Sequence, residues 1–203
     1  MPDRPYDGCM PRGRPRDDDA RQRTLDAAIE LVGRDGPGAV TINQIADAAE
    51  VSKQTIYRWW PSRTAVVLDA LVEDTMRATP FPDTDDPAED FRVHLRAVAK
   101  LFTSPSGAVI RALLADAQSD PTMAKEFRRR FWAPRRELSL ARLRRAEADG
   151  QIRGGLDLEL VLDAVYGPMW IRLFIGHLPL SAADADDLVD AIWGGIAITP
   201  EST

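Results

Sequence analysis

A chain of 203 residues, 44% of them hydrophobic, can bury a genuine core in one large or two small domains. Its single cysteine, Cys9, excludes a disulfide or a cysteine-based metal site within one chain, which suits a reducing cytoplasm. The net charge of −6 does not exclude nucleic acid as a partner, because phosphate contact depends on a few placed Lys and Arg, and residues 10–63 hold nine basic and eight acidic side chains.

The N-terminal residues 1–16 are rich in Pro, Gly and Arg, a composition that predicts a flexible basic arm. They lack the apolar core of a signal peptide, and the most apolar later run is interrupted by Arg172, so we expect a cytoplasmic protein without a membrane span. Within the arm, the RGRPR strip places Arg12 and Arg14 on an extended backbone that fits the narrow minor groove of A·T-rich DNA. A solvated basic tail is the alternative.

A first helix is predicted from Asp17 to about Arg34. Asp17 to Asp19 supply an N-cap and a negatively charged first turn, and apolar side chains recur at i, i+3, i+4 and i+7 from Leu25. The Gly-Pro-Gly run at residues 36–38 ends this helix. Its apolar stripe should pack against the next two helices to form a three-helix unit.

The stretch TINQIADAAEVSKQTIYRWW, from Thr41 to Trp60, predicts a helix-turn-helix. Thr41 followed by Gln44 is a capping-box start for its first helix, and Ser52 caps the second. Ile56 and Trp60 lie four apart and fit the core, while the outward side chains are rich in donors that could reach base edges and phosphates in a major groove. An ordinary helical hairpin with a polar face is the alternative. The candidate DNA-contacting residues here are Thr41, Ser52, Lys53, Gln54, Thr55, Tyr57, Arg58, Trp59 and Arg63.

The sequence VSKQTIYRWWPSR, at residues 51–63, resembles the turn and recognition helix of the TetR (tetracycline-repressor) family of bacterial transcriptional regulators. The resemblance runs from about Arg12 to about Met76, and its densest motif is S-K-x-T-I-Y with an aromatic pair behind it. Two positions depart from the family pattern: Trp59 replaces a small aromatic or His, and Glu50 replaces the usual Gly of the turn. Since a non-Gly residue at positive φ would be strained by about 1–2 kcal/mol, we expect a slightly different turn.

The resemblance implies a regulator of double-stranded operator DNA, most simply a repressor. Its expected organisation is a basic arm (1–16), a helix-turn-helix domain (17–64) and a C-terminal helical domain (65–203) that binds a small-molecule effector and dimerises. The expected fold class is all-α, and the expected operator is a palindrome bound by a homodimer and released by the effector.

Beyond the helix-turn-helix, Ser62 caps a helix that is apolar nearly all round, which predicts burial between two domains. Its apolar residues are Val66, Leu68, Leu71, Val72 and Met76. Residues 79–87, rich in Pro and acidic side chains, predict a boundary loop. Further helices are predicted at about 88–102, 105–118 and 121–149, the last bent at Pro134.

The Arg-rich run at residues 128–145 interleaves with Glu126, Glu137 and Glu147. This alternation predicts a solvated face with ion pairs. A second nucleic-acid surface is the alternative.

The last two predicted helices, 157–176 and 181–198, have the character of half a four-helix interface. The first is apolar around most of its circumference, and small residues in the second would let another helix approach closely. We therefore expect a two-fold homodimer rather than a monomer with two core helices, as the family resemblance also implies. The candidate interface residues are Leu173, Phe174, Ala191, Ile192, Gly195 and Ile196.

No residue pattern in the sequence indicates an enzyme active site. The two histidines, His94 and His177, have no zinc-site spacing, and neither a nucleotide-binding glycine motif nor a nucleophile elbow is present, so we expect no enzyme activity, metal or cofactor. His94, between Val93 and Leu95, is expected to be structural. The candidate effector contacts are Phe102, Trp132, Tyr166, Met169, Trp170 and Arg172. For Arg172, ion pairing or water is the alternative, and for the others a place in the core.

The sequence names neither the effector nor the operator. The competing interpretation of the whole chain is an all-α protein-interaction module with a non-functional helix-turn-helix.

Overall fold

The computed structural model describes residues 14–36 and 38–198, with side chains from Asp17 onward. In this part of the chain the fold is all-α, as predicted, with one isolated β-bridge between Ile152 and Ala197. The helices are α1 (Arg14–Asp35), α2 (Ile42–Ala49), α3 (Lys53–Trp59), α4 (Arg63–Ala78), α5 (Pro87–Phe102), α6 (Pro105–Ser119), α7 (Pro121–Phe127), α8 (Ala133–Ala148), α9 (Leu158–Ile175) and α10 (Ala182–Ile196). A π-helical segment, Arg128–Trp132, joins α7 to α8.

The first helix begins earlier than the sequence predicted. It starts at Arg14, three residues before Asp17, so residues 14–16 of the expected arm are helical. Pro15 is compatible with this start, because the first turn of a helix leaves its N–H groups unpaired. At the other end Gly36 adopts φ 83° and its N–H donates to the Val32 carbonyl at 2.9 Å.

Helix α4 links the helix-turn-helix to the rest of the chain. Ser62 caps it by accepting from the Ala65 N–H, and the expected domain boundary after residue 64 falls inside its first turn. The prediction that it is apolar nearly all round is wrong at its last turn, where Met76 is 49% exposed. Thr75 and Thr79 take the buried positions there instead, because their hydroxyls donate to the Leu71 and Thr75 carbonyls within the same helix turn.

The predicted helix over 121–149 is divided by the π-helical segment. Pro134 lies in the first turn of α8, just after that segment. In a continuous α-helix the Pro134 ring would clash with the carbonyl of Arg130, four residues earlier, and the wider π turn avoids this contact. The helix is therefore interrupted next to Pro134, as predicted. The proline alone did not indicate that the interruption takes the form of a π-helical segment.

The Arg-rich run is only partly the solvated face that was predicted. Arg129 pairs with Glu126 and Arg144 with Glu137 on the surface. Other members of the run turn inward, and Arg142 is one of them. It is buried, its Nε lies 2.5 Å from an Asp90 carboxylate oxygen, and it donates to the Thr84 carbonyl at 2.8 Å.

The last two helices begin at strong caps. The Asp157 carboxylate accepts from two N–H groups of the first turn of α9, and Ser181 forms a capping box with Asp184 at the start of α10. Over the described residues no single helix has the length and apolarity to cross a bilayer; α5 and α6 would suffice only as a pair, and they are bent by 78° at the break.

Candidate functional site

The turn of the helix-turn-helix is held by its own backbone and by α1. Glu50 adopts φ 54° and ψ 44°, and its N–H bonds to the carbonyls of Ala46 and Asp47. The expectation of a different turn is therefore wrong, since Glu50 keeps the left-handed geometry that glycine favours. Arg23 of α1 donates from Nε to the Ala49 carbonyl at 3.1 Å, which satisfies one orphan acceptor at the end of α2. Nothing in the local sequence pattern marked Arg23 for this role.

Both helices of the motif start at the predicted caps. The Thr41 N–H donates to Gln44 Oε1 at 2.8 Å and the Gln44 N–H returns a bond to the Thr41 hydroxyl at 3.3 Å, which confirms the capping box. The Ser52 hydroxyl accepts from the Thr55 N–H at 3.1 Å and shares a hydrogen bond with the Thr55 hydroxyl at 2.9 Å. Two of the candidate DNA contacts, Thr41 and Ser52, are thus also structural caps, and a third, Thr55, is hydrogen-bonded to the Ser52 cap.

The outer face of α3 carries three exposed donors side by side. Lys53, Gln54 and Tyr57 are exposed, and none has a hydrogen-bond or ion-pair partner within residues 17–36 and 38–198. Ile56, on the opposite side, is fully buried and anchors the helix. The arrangement leaves these donors available to an external acceptor, which is what contact with DNA requires.

Arg58, Trp59 and Arg63, three further candidate DNA contacts, are engaged within the protein. Arg58 reaches Asp17 at 3.0 Å and lies over the Trp59 ring, 5.1 Å from its centroid. Arg63 donates from Nη1 to the Val40 carbonyl at 2.8 Å. Arg12 and the side chain of Arg14 lie outside what the structure describes, so their minor-groove role stays a prediction.

The recognition helix is attached to α4 through Trp60. Trp60 is buried, as predicted, and its Nε1 donates to Asp69 Oδ2 at 2.6 Å. Asp69 in turn forms an ion pair with Arg130 of the π-helical segment. The Trp59 ring packs edge-on against Trp60 with centroids 5.5 Å apart. One carboxylate on α4 therefore joins the end of α3 to the C-terminal part of the chain.

A second candidate site is a cavity of about 200 Å³ enclosed by α5, the π-helical segment, α8 and α9. Four predicted effector contacts line it, namely Phe102, Trp132, Tyr166 and Trp170. The Trp170 ring contacts two other aromatic lining residues, with its centroid 4.9 Å from that of Phe102 and 5.4 Å from that of Trp132. The cavity is thus an aromatic one, as most ligand sites for small organic molecules are.

Two predicted effector contacts lie elsewhere. Met169 and Arg172 line a separate hollow of about 230 Å³ between α9 and α10. They point away from the aromatic cavity because consecutive residues on α9 are about 100° apart, and Trp170 occupies the cavity face. Arg172 pairs with Asp184 at 2.5 Å and donates to the Pro179 carbonyl at 2.9 Å, so ion pairing is the alternative that the structure supports.

Polar residues that the sequence did not nominate also line the aromatic cavity. Arg135 donates to the Phe131 carbonyl at 3.1 Å, to the Val72 carbonyl at 3.3 Å and to the Thr75 hydroxyl, and burial lowers the pKa of its guanidinium to about 10. His94 bonds through Nδ1 to the Pro80 carbonyl at 3.1 Å, and burial lowers its pKa to about 4. His94 therefore lines a cavity as a neutral ring, in addition to the structural contact expected of it.

Known proteins resemble this chain over both parts. The family model described as "Tetracyclin repressor-like, C-terminal domain" matches residues 81–192, and the model "Bacterial regulatory proteins, tetR family" matches residues 25–70. The chain is 37% identical to the uncharacterized HTH-type transcriptional regulator YdeS of Bacillus subtilis, over 93% of this chain and 95% of that protein. The chain belongs to the TetR family. It is a helix-turn-helix transcriptional regulator of that family.

Two further comparisons extend this TetR-family assignment. A solved structure, of the TetR family transcription regulator SCO0332, superposes with a TM-score of 0.77 at 34% identity, over 90% of this chain and 100% of that one. The DNA-binding transcriptional repressor TetR of Mycobacteroides abscessus is 28% identical, over 83% of this chain and 88% of that protein.

In this TetR-family chain the candidate dimer residues divide into two groups. Leu173 of α9 and Ile196 of α10 are buried in the core of the protomer itself, where they pack against other buried side chains. Phe174, Ala191 and Gly195 are exposed, and Ile192 is partly buried. Large exposed apolar side chains that the sequence analysis did not nominate lie on α9 and in the turn after it. They are Leu160, Ile171 and Ile175 on α9, and Leu178 after its end.

Proposed function

We propose that this TetR-family regulator is a cytoplasmic repressor that binds a palindromic operator as a homodimer and is released by a small molecule in the aromatic cavity. The observation that carries the proposal is the outer face of α3, a recognition helix on which Lys53, Gln54 and Tyr57 are exposed and have no partner among the described residues. Donors at this position reach bases and phosphates when such a helix enters a major groove. Repression accords with the name of the Mycobacteroides abscessus relative, a DNA-binding transcriptional repressor.

The dimer is supported by an apolar stripe on α9 and the loop after it. Ile171 is 55% exposed, Ile175 71% and Leu178 51%, and Leu160 lies on the same side of α9 about three turns before Ile171. Beside the stripe, α10 presents Gly194 and Gly195, where an added Cβ would meet no atom within 4 Å. A stripe of large exposed side chains beside a small-residue face is suited to burial against a second copy.

Coupling between the cavity and DNA is supported by α4. Near the middle of α4 Asp69 accepts from the Trp60 indole, and nearer its C-terminal end Val72 and Thr75 accept from Arg135. Thr79, which caps that end, lines the cavity. A ligand that moves α4 would therefore move the recognition helix. If the ligand prefers a spacing of the two recognition helices that does not fit DNA, coupling of about 1–3 kcal/mol is typical.

The direct test uses a labelled duplex from the region upstream of the protein's own gene. Fluorescence anisotropy should show binding by the wild type, and Lys53→Ala with Gln54→Ala should weaken it more than about tenfold through the loss of two polar contacts. Lys100→Ala, an exposed lysine on α5, is the control and should bind like the wild type. Equal affinities for all three proteins, or no binding by any, would favour the protein-interaction module instead.

A further inference from the structure

Arg135 is an isolated positive charge on the wall of the aromatic cavity. Within the described residues its guanidinium contacts no carboxylate, its three hydrogen-bond acceptors are neutral, and the ring that it lies over at 4.2 Å, that of Phe131, carries no net charge. The neighbouring Arg136 shows the contrast, since it pairs with both Glu159 and Asp163 at the cavity rim. A guanidinium taken out of water without a counter-charge is unfavourable, so the site is electrostatically incomplete.

The unpaired charge still has donors to offer. A guanidinium carries five N–H groups, and the three hydrogen bonds of Arg135 leave two of them, including Nε–H, without a partner in the described part of the chain. Carboxylates accept from Arg in pairs of parallel hydrogen bonds, which are stronger than neutral ones. The donor pair that includes Nε–H is completed by an Nη2–H, and Nη2 now donates to Val72 and Thr75. A carboxylate therefore completes this site by accepting from Nε–H together with an Nη2–H that is now given to α4.

The rest of the cavity restricts the body of the ligand. Phe102, Trp132 and Trp170 form apolar aromatic walls around a volume of about 200 Å³. An engineered apolar cavity of about 150 Å³ accommodates one benzene molecule. One aromatic ring, or a short acyl chain, together with a carboxylate therefore fills the space.

We infer that the effector of the proposed repressor is a small organic monoanion, a one-ring or short-chain carboxylic acid whose carboxylate binds Arg135 and whose apolar body lies against Trp170. That this ligand acts as an effector rests on the proposed function, but its binding to the protein does not depend on DNA. A cation is repelled at this site, and a neutral amide leaves the charge of Arg135 uncompensated.

The same contact explains how the anion would act on α4. Arg135 now bonds to the Val72 carbonyl and the Thr75 hydroxyl near the end of that helix. A carboxylate competes for the same guanidinium and so weakens its attachment to α4. Ligand binding in the cavity would thereby loosen α4, the helix whose Asp69 accepts from the Trp60 indole.

The test compares ligands of matched shape and different charge. Calorimetric titrations of the full chain would use benzoate, phenylacetate and 3-phenylpropanoate, the three corresponding amides, and 2-phenylethylamine as the cation. We expect at least one acid to bind about tenfold or more tightly than its amide, as charge-assisted hydrogen bonds imply, and the amine to bind more weakly than the amide. Failure of every acid to bind, or equal binding of acids and amides, overturns the inference.

Variants of Arg135 identify the group responsible. Arg135→Met should remove the preference for acid over amide, and Arg135→Lys, which keeps the charge but not the paired donors, should retain a reduced preference. Arg144→Met, on the exposed face of α8, is the control and should keep the wild-type ratio. A cooperative thermal transition would show that each variant is folded, and an undiminished preference in folded Arg135→Met contradicts the assignment. If Arg135→Met does not fold, the Lys variant and the wild-type ligand series decide the matter.

Adding the operator duplex separates this inference from the proposed function. DNA binding with no acid binding overturns the ligand assignment alone. Acid binding with no DNA binding overturns the repressor proposal alone. Displacement of DNA by phenylacetate or its homologues in the wild type, and not in Arg135→Met, supports both.

Discussion

At the scale of single residues, Tyr57 separates DNA contact from folding. Its side chain is 54% exposed and its hydroxyl has no partner in the described chain, so Tyr57→Phe should leave the melting temperature unchanged. Operator binding should weaken severalfold, because one hydrogen bond contributes about 0.5–1.5 kcal/mol. Thermal unfolding measures the melting temperature, and fluorescence anisotropy of the labelled duplex measures the operator affinity.

Tyr166 offers the matched control for that substitution. Its hydroxyl shares a hydrogen bond with Ser139 at 2.9 Å in the cavity wall, and burial raises its pKa. Tyr166→Phe should therefore lower stability and leave DNA affinity intact. The reverse pattern, with Tyr57→Phe destabilising the fold and sparing DNA binding, would show that Tyr57 belongs to the core.

His94 gives the fold a pH dependence of known sign. Burial lowers the pKa of His94 from 6.5 to about 4, so between these values the unfolded chain binds a proton that the folded chain does not. Stability from this residue is therefore present above about pH 6.5, and the free energy of unfolding should fall by up to about 1.4 kcal/mol per pH unit on acidification towards pH 4.

Replacing each histidine in turn assigns that slope. His94→Gln, measured by urea unfolding from pH 7 to pH 4.5, should flatten the dependence. His177→Gln, in the exposed turn after α9, should keep the wild-type slope. Identical slopes in the wild type and His94→Gln would mean that other groups cause the acid sensitivity.

At the scale of elements, the turn between α2 and α3 is held at a cost in backbone strain. Glu50 has φ 54°, and a left-handed conformation costs a non-Gly residue about 1–2 kcal/mol. Glu50→Gly should relieve that strain and raise the free energy of unfolding by up to about 1 kcal/mol, after the extra backbone entropy of glycine is subtracted.

Ala48, exposed on α2, is the control for the glycine itself. Ala48→Gly has the same entropy penalty without the relief of strain, so it should lower stability by about 1 kcal/mol. Chemical denaturation of both variants gives the comparison. Equal losses in the two proteins would argue that Glu50 is not strained.

Local signals account for what was predictable at this scale. Caps at Thr41, Ser52 and Ser62 are short-range chemistry, so the starts of α2, α3 and α4 followed directly from the sequence. Arg135 was not predictable in the same way, because its surroundings come from α4 and the π-helical segment.

The second limit on prediction was the direction in which each apolar side chain points around its helix. Leu173 and Phe174 are adjacent in an apolar run, and only the packing of neighbouring helices decides that the first is buried and the second exposed. The same holds for Met169 beside Trp170. Hydrophobicity identifies such residues as apolar contacts, but it does not say whether they contact the core, a ligand or a partner.

At the scale of the whole molecule, the proposed dimer predicts that one charge on α10 has two effects. Ala191 is exposed beside Gly194 and Gly195, so Ala191→Glu would bury two like charges across a two-fold axis. Light scattering should show a monomer at micromolar concentration, and operator binding should collapse although α3 is unchanged.

The control places the same charge on a different surface. Ala115→Glu alters an exposed alanine on α6 and should remain dimeric with wild-type DNA affinity. A monomeric wild type, or a dimer that survives Ala191→Glu intact, would exclude the interface on α9 and α10.

The central claim, that paired α3 helices recognise an operator, is tested most directly by footprinting the DNA upstream of the protein's own gene. The account predicts two protected half-sites in a palindrome, with centres about 34–36 Å apart in successive major grooves. It also predicts that protection disappears in the variant carrying Lys53→Ala and Gln54→Ala. Protection of a single half-site, or protection that is unchanged in that variant, would contradict it.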